Sequence, residues 1–378
     1  MTGVINAVDF LRNKTENNIY IVINNVSYSN FLSINISRSL ETIANQFTIT
    51  LSLESIAKLP FKLGDSVSIY FDKTPLITGY VEVLSATYST NTHYATISGR
   101  DKTADIIDSS IETPVSITGS ISLVDLIKNI LESNNINDID VRSNVDIDLF
   151  TANDQITVDN GDSIFNVIDE YCLKRQVIAT TSGAGDILLT RVDQNGESYT
   201  TKLVHRSNAG SNSVIDRSSL SSLVNKTSEN NIISATYTLS TVNKFSKYVV
   251  KTQDILKELN LPSIDRLNKT AIKEDNTARG GRTMVIPSDN TRDLETAQNR
   301  ANWELSANKS KEAVYQCQVA GFISEKDKVW TPNTLIKVED ERHSIDDFMI
   351  IKSVDIMYSL DSGSLTNLEL IKKDSYQP

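Results

Sequence analysis

A chain of 378 residues is too long for one ordinary core and predicts two to four domains. Its 37 basic and 48 acidic residues leave a net charge of −11, against the basic balance of a protein that grips duplex DNA by its phosphates. The two cysteines, Cys172 and Cys317, are far apart, which excludes a disulfide framework and suits a reducing cytoplasm. The opening residues lack the apolar stretch of a signal peptide, and no apolar run approaches a membrane span, so no membrane insertion is expected.

Residues 19–53 alternate apolar and polar side chains, with Asn24-Asn25 as a turn, and predict a meander of strands. Residues 63–99 continue it, with Val67, Ile69 and Phe71 on one face. After Ile111 the period changes. Leu123, Ile127, Ile130 and Leu131 fall at helical spacing behind a capping Ser122, and Ile164, Val167, Ile168 and Tyr171 form a second stripe with Asp162 as a cap. A hairpin around Gly183–Gly185 follows, then a Ser- and Asn-rich linker over 206–230. Strands return near residue 232; residues 253–290 are polar and predict an excursion or loop. A long helix follows, with Leu294, Ala297, Ala301 and Leu305 along one face, and the chain ends in strands. The fold class expected is mainly β with an α+β insert. It divides into a β-barrel domain (1–108), an α+β domain (109–212) and a second β-barrel domain (213–378), the last carrying the excursion (253–290) and the helix (291–313).

Two stretches share one plan, Leu63–Gly99 and Pro332–Leu370. In each, a turn residue (Gly64 or Asn333) leads a short alternating strand. A longer strand follows, holding Val81, Val83 and Tyr88-Ser89 in one copy and Val354, Ile356 and Tyr358-Ser359 in the other. A duplicated barrel makes one chain a pseudo-dimer. Three such chains would present six similar units, which lets a threefold object dock on a sixfold one.

Candidate chemistry is thin. The stretch Gly99-Arg100-Asp101-Lys102-Thr103 imitates a phosphate cradle but lacks the second glycine of a P-loop. Its structural reading is a corner: Gly99 lets the strand turn sharply, Asp101 caps the following helical turn, and Asp105 sits near the positive helix start. His93, His205 and His343 show no metal-ligand spacing with one another or with cysteine, and the acids of residues 138–148 lack a calcium loop's glycine and closing Glu. Trp303 and Trp330 could stack on sugars, but packing on a helix and plugging a barrel end are the simpler roles. No catalytic, metal or cofactor site is expected.

The stretch "ISGRDKTADIIDSSI", the middle "FSKYVVKTQ" and the end "VWTPNTLIKVED…MIIKSVDIMYSLDSGSLTNLELIKKD" resemble the Mu-type baseplate hub proteins of contractile phage tails. Late-control tail proteins and the hubs of phage-derived bacteriocins are in the same family. Gly99, Arg100, Asp101, Lys102 and Asp105, with Trp330, Pro332 and Asn333, carry the most specific part of the likeness. The resemblance implies a non-enzymatic homotrimer, two barrels per chain making a pseudo-sixfold ring between the hexameric tail tube (or a distal tube protein) and the trimeric spike. Wedge and tape-measure proteins would be further partners. The chain would reside in the virion baseplate after assembly in the host cytoplasm, with DNA passing through unbound. The acidic excess is then expected to line the channel. The competing reading is a tail-associated carbohydrate-binding or cell-wall-degrading protein, which would need exposed Trp faces.

Overall fold

The computed structural model describes residues 19–377 except 29–30, 54–58, 91, 118, 152–155, 193–200, 207–229, 253–269, 289–293 and 326–327. The N-terminal part holds β1 (Ile19–Ile23), β2 (Val26–Tyr28), β3 (Phe31–Ser39), β4 (Gln46–Ser52), β5 (Ser66–Phe71), β6 (Thr74–Tyr80), β7 (Val83–Tyr88) and β8 (His93–Arg100). Asn24 and Asn25 both take positive φ, as a two-residue hairpin requires. Alternation decides the faces: in β4, Phe47, Ile49 and Leu51 are buried while Gln46, Thr48 and Ser52 are exposed.

A short helix α1 (Ala104–Asp108) leads into β9 (Val115–Ile117), α2 (Leu123–Ser133), β10 (Val141–Ser143), β11 (Ile156–Val158), α3 (Ile164–Lys174), β12 (Ile178–Thr180) and β13 (Ile187–Thr190). Ser122 caps α2 as expected, its hydroxyl accepting the Asp125 amide at 3.0 Å. The cap of α3 is Ser163 rather than Asp162, with no side-chain bond. The stripes of α2 and α3 close on β10–β13 in a core of their own, with Leu126, Ile130, Ile168 and Cys172 fully buried.

The C-terminal part contains β14 (Leu203–His205), β15 (Ile232–Leu239), β16 (Lys247–Thr252), β17 (Thr270–Glu274), β18 (Thr283–Ser288) and α4 (Leu294–Lys309). It ends with β19 (Ala313–Ala320), β20 (Ile323–Glu325), β21 (Lys328–Val329), β22 (Leu335–Asp340), β23 (Ile345–Ser359) and β24 (Gly363–Lys372). The polar excursion expected over 253–290 is corrected in its described part: β17 and β18 flank β16 in a three-stranded sheet. Val250, Ala271 and Ile286 of that sheet bury against Ala297 and Ala301 of α4. Polar content misled because the opposite face is solvated. The linker over 207–229 and the helix start at 291–293 lie outside the described residues.

One long sheet dominates, in the order β15-β19-β24-β23-β3-β4-β8-β7, with β22 on the first half of β23 and β14 beside β22. A smaller sheet, β2-β1-β5-β6, lies over its N-terminal half, and one apolar core runs through both halves from Ile21 and Ile36 to Val354 and Leu370. Each such side chain contributes on the order of 1.5–3 kcal/mol by leaving water. No closed barrel is found among the described residues. The chain passes from β6 into β7 over Val81 and Glu82, so it changes sheet instead of closing a ladder. Strand β3, the other flank, is occupied by β23, with Ile36 opposite Ile356.

Candidate functional site: a closed corner and two open sheet edges

The corner after β8 is built by two glycines. A Cβ on Gly99 would stand 1.9 Å from the Tyr80 carbonyl oxygen, and one on Gly79 would stand 1.9 Å from that of Arg100. Gly99 is not among the positive-φ residues, so the sharp turn expected of it is corrected: it is an extended residue that lets the end of β6 cross β8 at contact distance. Gly79 escaped the sequence reading because nothing local marks a crossing.

The cations here have no vacancy for phosphate. Arg100 Nη2 binds Glu82 at 2.7 Å and Asp108 at 2.5 Å, and its hydrogen bond holds the Asp108 carboxyl below the usual range. Lys102 Nζ is 3.4 Å from Asp138, which also accepts the Tyr80 hydroxyl at 2.9 Å. Asp105 lies in the first turn of α1, where burial foremost, then Asp138, raise its pKa.

Asp101 does not cap α1, whose N-cap is Thr103. It is buried, and accepts the Asn45 amide at 3.1 Å. The Thr103 hydroxyl touches both the Ile43 carbonyl, at 2.5 Å, and Asp101 Oδ1. A hydroxyl has one hydrogen and a carbonyl can only accept. The one Thr103 hydrogen is thus shared between the Ile43 carbonyl and Asp101 Oδ1. Burial pushes Asp101 up to about 7 against the opposing pull of Thr103, Asn45 and Arg38. A raised folded pKa gives stability that is complete below about pH 4 and is lost as pH rises through about 7. Asp101→Asn keeps one acceptor and one donor in place. Its urea stability is expected to match wild type within about 1 kcal/mol at pH 5 and exceed the wild-type value by about 2–3 kcal/mol at pH 8. A difference independent of pH would refute the raised pKa of Asp101.

Trp330 is buried in the main core, and Trp303 is buried with its ring 5.9 Å from that of Tyr376. Neither offers a face to a sugar. Asn333 follows Pro332 in a turn with φ +61, and its amide donates to Thr190 Oγ1 at 3.2 Å and the Arg191 carbonyl at 2.9 Å. It ties the C-terminal part to the α+β unit, as Arg38 does from β3 through the Ser182 carbonyl at 3.1 Å.

Two of the three histidines meet at one buried carboxylate, which spacing did not reveal. Asp340 accepts Tyr315 Oη at 2.6 Å, lies 2.7 Å from His343 Nδ1 and is 3.4 Å from His205 Nδ1. Burial pushes Asp340 up, but the bonds from Tyr315 and His343 outweigh it and hold the carboxyl low. The cluster fastens β14 to β22. Among the described residues no group of His, Cys, Asp and Glu is arranged to hold a metal.

Among the described residues the long sheet ends in two edge strands, β15 and β7, each with a ladder on one side only. Both are largely exposed, and both show apolar side chains to water: Val83 is 59% exposed, Tyr88 84% and Leu239 68%. Exposed apolar edges invite another strand.

Comparison with known proteins follows the same segments. The N-terminal model of Mu phage baseplate assembly protein GpP-like matches residues 18–101, the second-domain model of baseplate hub protein gp44-like matches 103–191, and the fourth-domain model of Mu phage baseplate assembly protein GpP matches 293–378. Together they span well over half of the chain, in order. The chain belongs to the Mu-type baseplate hub proteins. Baseplate hub protein gp44 of Escherichia phage Mu is 19% identical over 355 residues, covering 92% of this chain and 86% of that protein. The 43 kDa tail protein of prophage MuSo2 from Shewanella oneidensis superposes with a TM-score of 0.72 at 22% identity, over 94% of this chain and 98% of the other. A tail protein from Neisseria meningitidis gives 0.74 at 16% identity, over 94% and 96%. These hub-family likenesses establish a shared fold. No helix among the described residues is long and apolar enough to cross a membrane.

Proposed function

We propose that three copies of this chain close a ring by pairing β15 of one copy with β7 of the next, and that the ring is a structural adaptor between a sixfold tail tube and a threefold spike. The observation that carries the reading is the junction inside the chain. Cross-strand partners form two matching rows, Asn35–Thr48–Ser98–Val83 and Thr236–Gln316–Glu369–Ser353. They equate β3 with β15 and β7 with the last half of β23. The β3–β23 ladder within one chain thus pairs the same two kinds of edge that remain open at its ends.

Matched hydrogen bonds support the duplication this needs. Gly64 N donates to Val81 O at 2.8 Å and Val81 N to Asp65 O at 2.9 Å, while Asn333 N donates to Ile351 O at 2.8 Å and Ile351 N to Thr334 O at 3.0 Å. Gly64 and Asn333 both have positive φ. The hairpin tips agree as well: Thr92 N meets Ser89 Oγ at 3.2 Å, and Ser362 N meets Ser359 Oγ at 3.1 Å.

In this reading the chain divides at about 108 and 212 into β, α+β and β parts. Gly99, Arg100, Asp101, Lys102, Asp105, Trp330, Pro332 and Asn333 are scaffold, and the role is not catalytic. The ring sits in the virion baseplate with spike, tube, wedge and tape-measure proteins as neighbours and leaves a channel for passage. The sugar-binding alternative is disfavoured by two buried tryptophans. Light scattering is expected to give three times 41.9 kDa, about 126 kDa, at high concentration. A monomer at every concentration, with or without the spike, would end the ring reading.

A further inference from the structure

Strands β3 and β15 end in the same turn. Beyond β3, the Ser39 hydroxyl accepts the Glu41 amide at 3.2 Å, and beyond β15 the Ser240 hydroxyl accepts the Val242 amide at 3.2 Å. The rows that equate Asn35 with Thr236 equate Ser39 with Ser240, so Val242 stands where Glu41 stands. On the facing strands Val81 and Ile351 make the same pair of backbone bonds, to Gly64 and Asp65 in one copy and to Asn333 and Thr334 in the other. Glu82 therefore stands where Lys352 stands.

The charges at these four places differ. Inside the chain, Lys352 Nζ reaches Glu41 Oε2 at 2.8 Å, beside the Leu40 amide, which donates to the Lys352 carbonyl at 2.8 Å. At the end strands the signs are exchanged. Glu82 puts a carboxylate on the β7 side, and its partner Arg100 does not balance the surroundings. Glu82, Asp105, Asp108 and Asp138 gather around Arg100 and Lys102, four carboxylates to two cations. On the β15 side Val242 is uncharged and exposed. Arg282, from the connection between β17 and β18, donates both Nη groups to the Thr241 and Val242 carbonyls and so lies on the backbone of that turn. Its other contact is the Phe245 ring, 5.4 Å away. No carboxylate pairs with Arg282 among the described residues, so neutral groups hold a half-buried cation whose charge is unbalanced.

We infer that Glu82 of one copy and Arg282 of the next form an ion pair across the junction of β7 with β15, opposite in sign to the Lys352–Glu41 pair inside the chain, and that this opposition decides which strands meet. The inference rests on the ring reading. Leu40 faces Lys352 within the chain, so the matched register sets Thr241, and the guanidinium on its carbonyl, against Glu82. Edges of one shape could also meet in two other ways. If β3 met β7, which would close the first β half on itself, Glu41 would face Glu82. If β15 met β23, Arg282 would face Lys352. Each cross-pairing sets like charges together at a contact that excludes water, and such repulsion rejects a wrong partner more than it strengthens the right one. The exchanged signs thus favour β3 with β23 inside the chain and β15 with β7 between copies.

The test is a charge exchange in the full chain. It is read as the concentration at which the trimer dissociates in analytical ultracentrifugation at about 0.15 M salt, with circular dichroism on the same samples. Arg282→Glu alone and Glu82→Arg alone are each expected to raise that concentration at least about tenfold, because each sets like charges across the junction. The double variant is expected to return to within about threefold of wild type. At about 1 M salt, where charges are screened within roughly 3 Å, the effects of the single changes should shrink. A double variant no tighter than the weaker single, with wild type still a trimer, would overturn the ion pair and leave the ring standing. Should Glu82→Arg unfold the corner by repelling Arg100, Glu82→Gln and Arg282→Gln serve instead, singly and together. Losses that fall short of additive in the pair support the contact, and additive losses overturn it. A wild type that is a monomer with and without the spike ends the ring reading, and this inference with it.

Discussion

Cysteines at Thr87 and Thr236 are expected to join neighbouring copies into a covalent trimer under mild oxidation. The register follows from the two matching rows. Within the chain, Asn35 of β3 faces Met357, four residues beyond Ser353 in β23. Thr236 holds the place of Asn35 and Val83 that of Ser353, so Thr236 should face Thr87, four residues beyond Val83, in the next copy. Directly opposed residues of an antiparallel pair have Cα atoms about 4.5–5.5 Å apart, inside the range a disulfide spans. Both positions are exposed on the single chain, and the native Cys172 and Cys317 are buried and do not compete. A non-reducing gel should show a species at about three times 41.9 kDa that dithiothreitol returns to monomer. Thr236→Cys paired with Leu84→Cys should give little product, since Leu84 is three residues away, roughly 10 Å along the strand, on the other face. Equal yields from the two pairs, or none from the first, would sink the proposed pairing of β15 with β7.

Gly99→Val and Gly79→Val are expected to be the most damaging single substitutions in the N-terminal half. Each puts a Cβ 1.9 Å from a backbone oxygen of the crossing strand, where no side-chain rotamer gives relief. Separation of the strands would expose the buried Asp101 and break the Asn45 and Thr103 bonds to it. The cost should exceed about 3 kcal/mol, read as a drop in the urea midpoint by circular dichroism or as insoluble protein. Gly280→Ala is the control: nothing lies within 4 Å of its added Cβ and its φ is not positive, so a change within about 1 kcal/mol is expected. A Gly99→Val chain as stable as the control would mean that the close crossing does not exist.

The corner shows why local reading stops where it does. Glycine at position 99 was legible as a structural requirement, but its reason was not. A turn is a property of neighbours in sequence, whereas a crossing depends on Tyr80, which reaches Gly99 through the fold. The same limit hid the Asp340 cluster, because His205 and His343 are joined by the pairing of β14 with β22 rather than by spacing. Residues 270–288 resemble a loop in composition because one face of their sheet is solvated, and the Ala-rich face of α4 covers the other from a distant part of the sequence.

What the sequence by itself determined is whatever period and local chemistry determine. The meander of β1–β8, the stripes of α2 and α3, the Ser122 cap, the Asn24-Asn25 hairpin and the lack of a phosphate loop all follow from residues within a few positions of one another. So does the family, since Gly99–Asp105 and Trp330–Asn333 are contiguous motifs. Only the tertiary structure decided that strands expected to close two barrels join one long sheet through β3 and β23, with β15 and β7 as its end strands among the described residues. A strand's alternation states which side is buried but not which strand lies beside it, because every backbone offers the same amide and carbonyl along its edge. That choice is made by the packing of side chains from both halves into one core, and packing is settled between residues hundreds of positions apart.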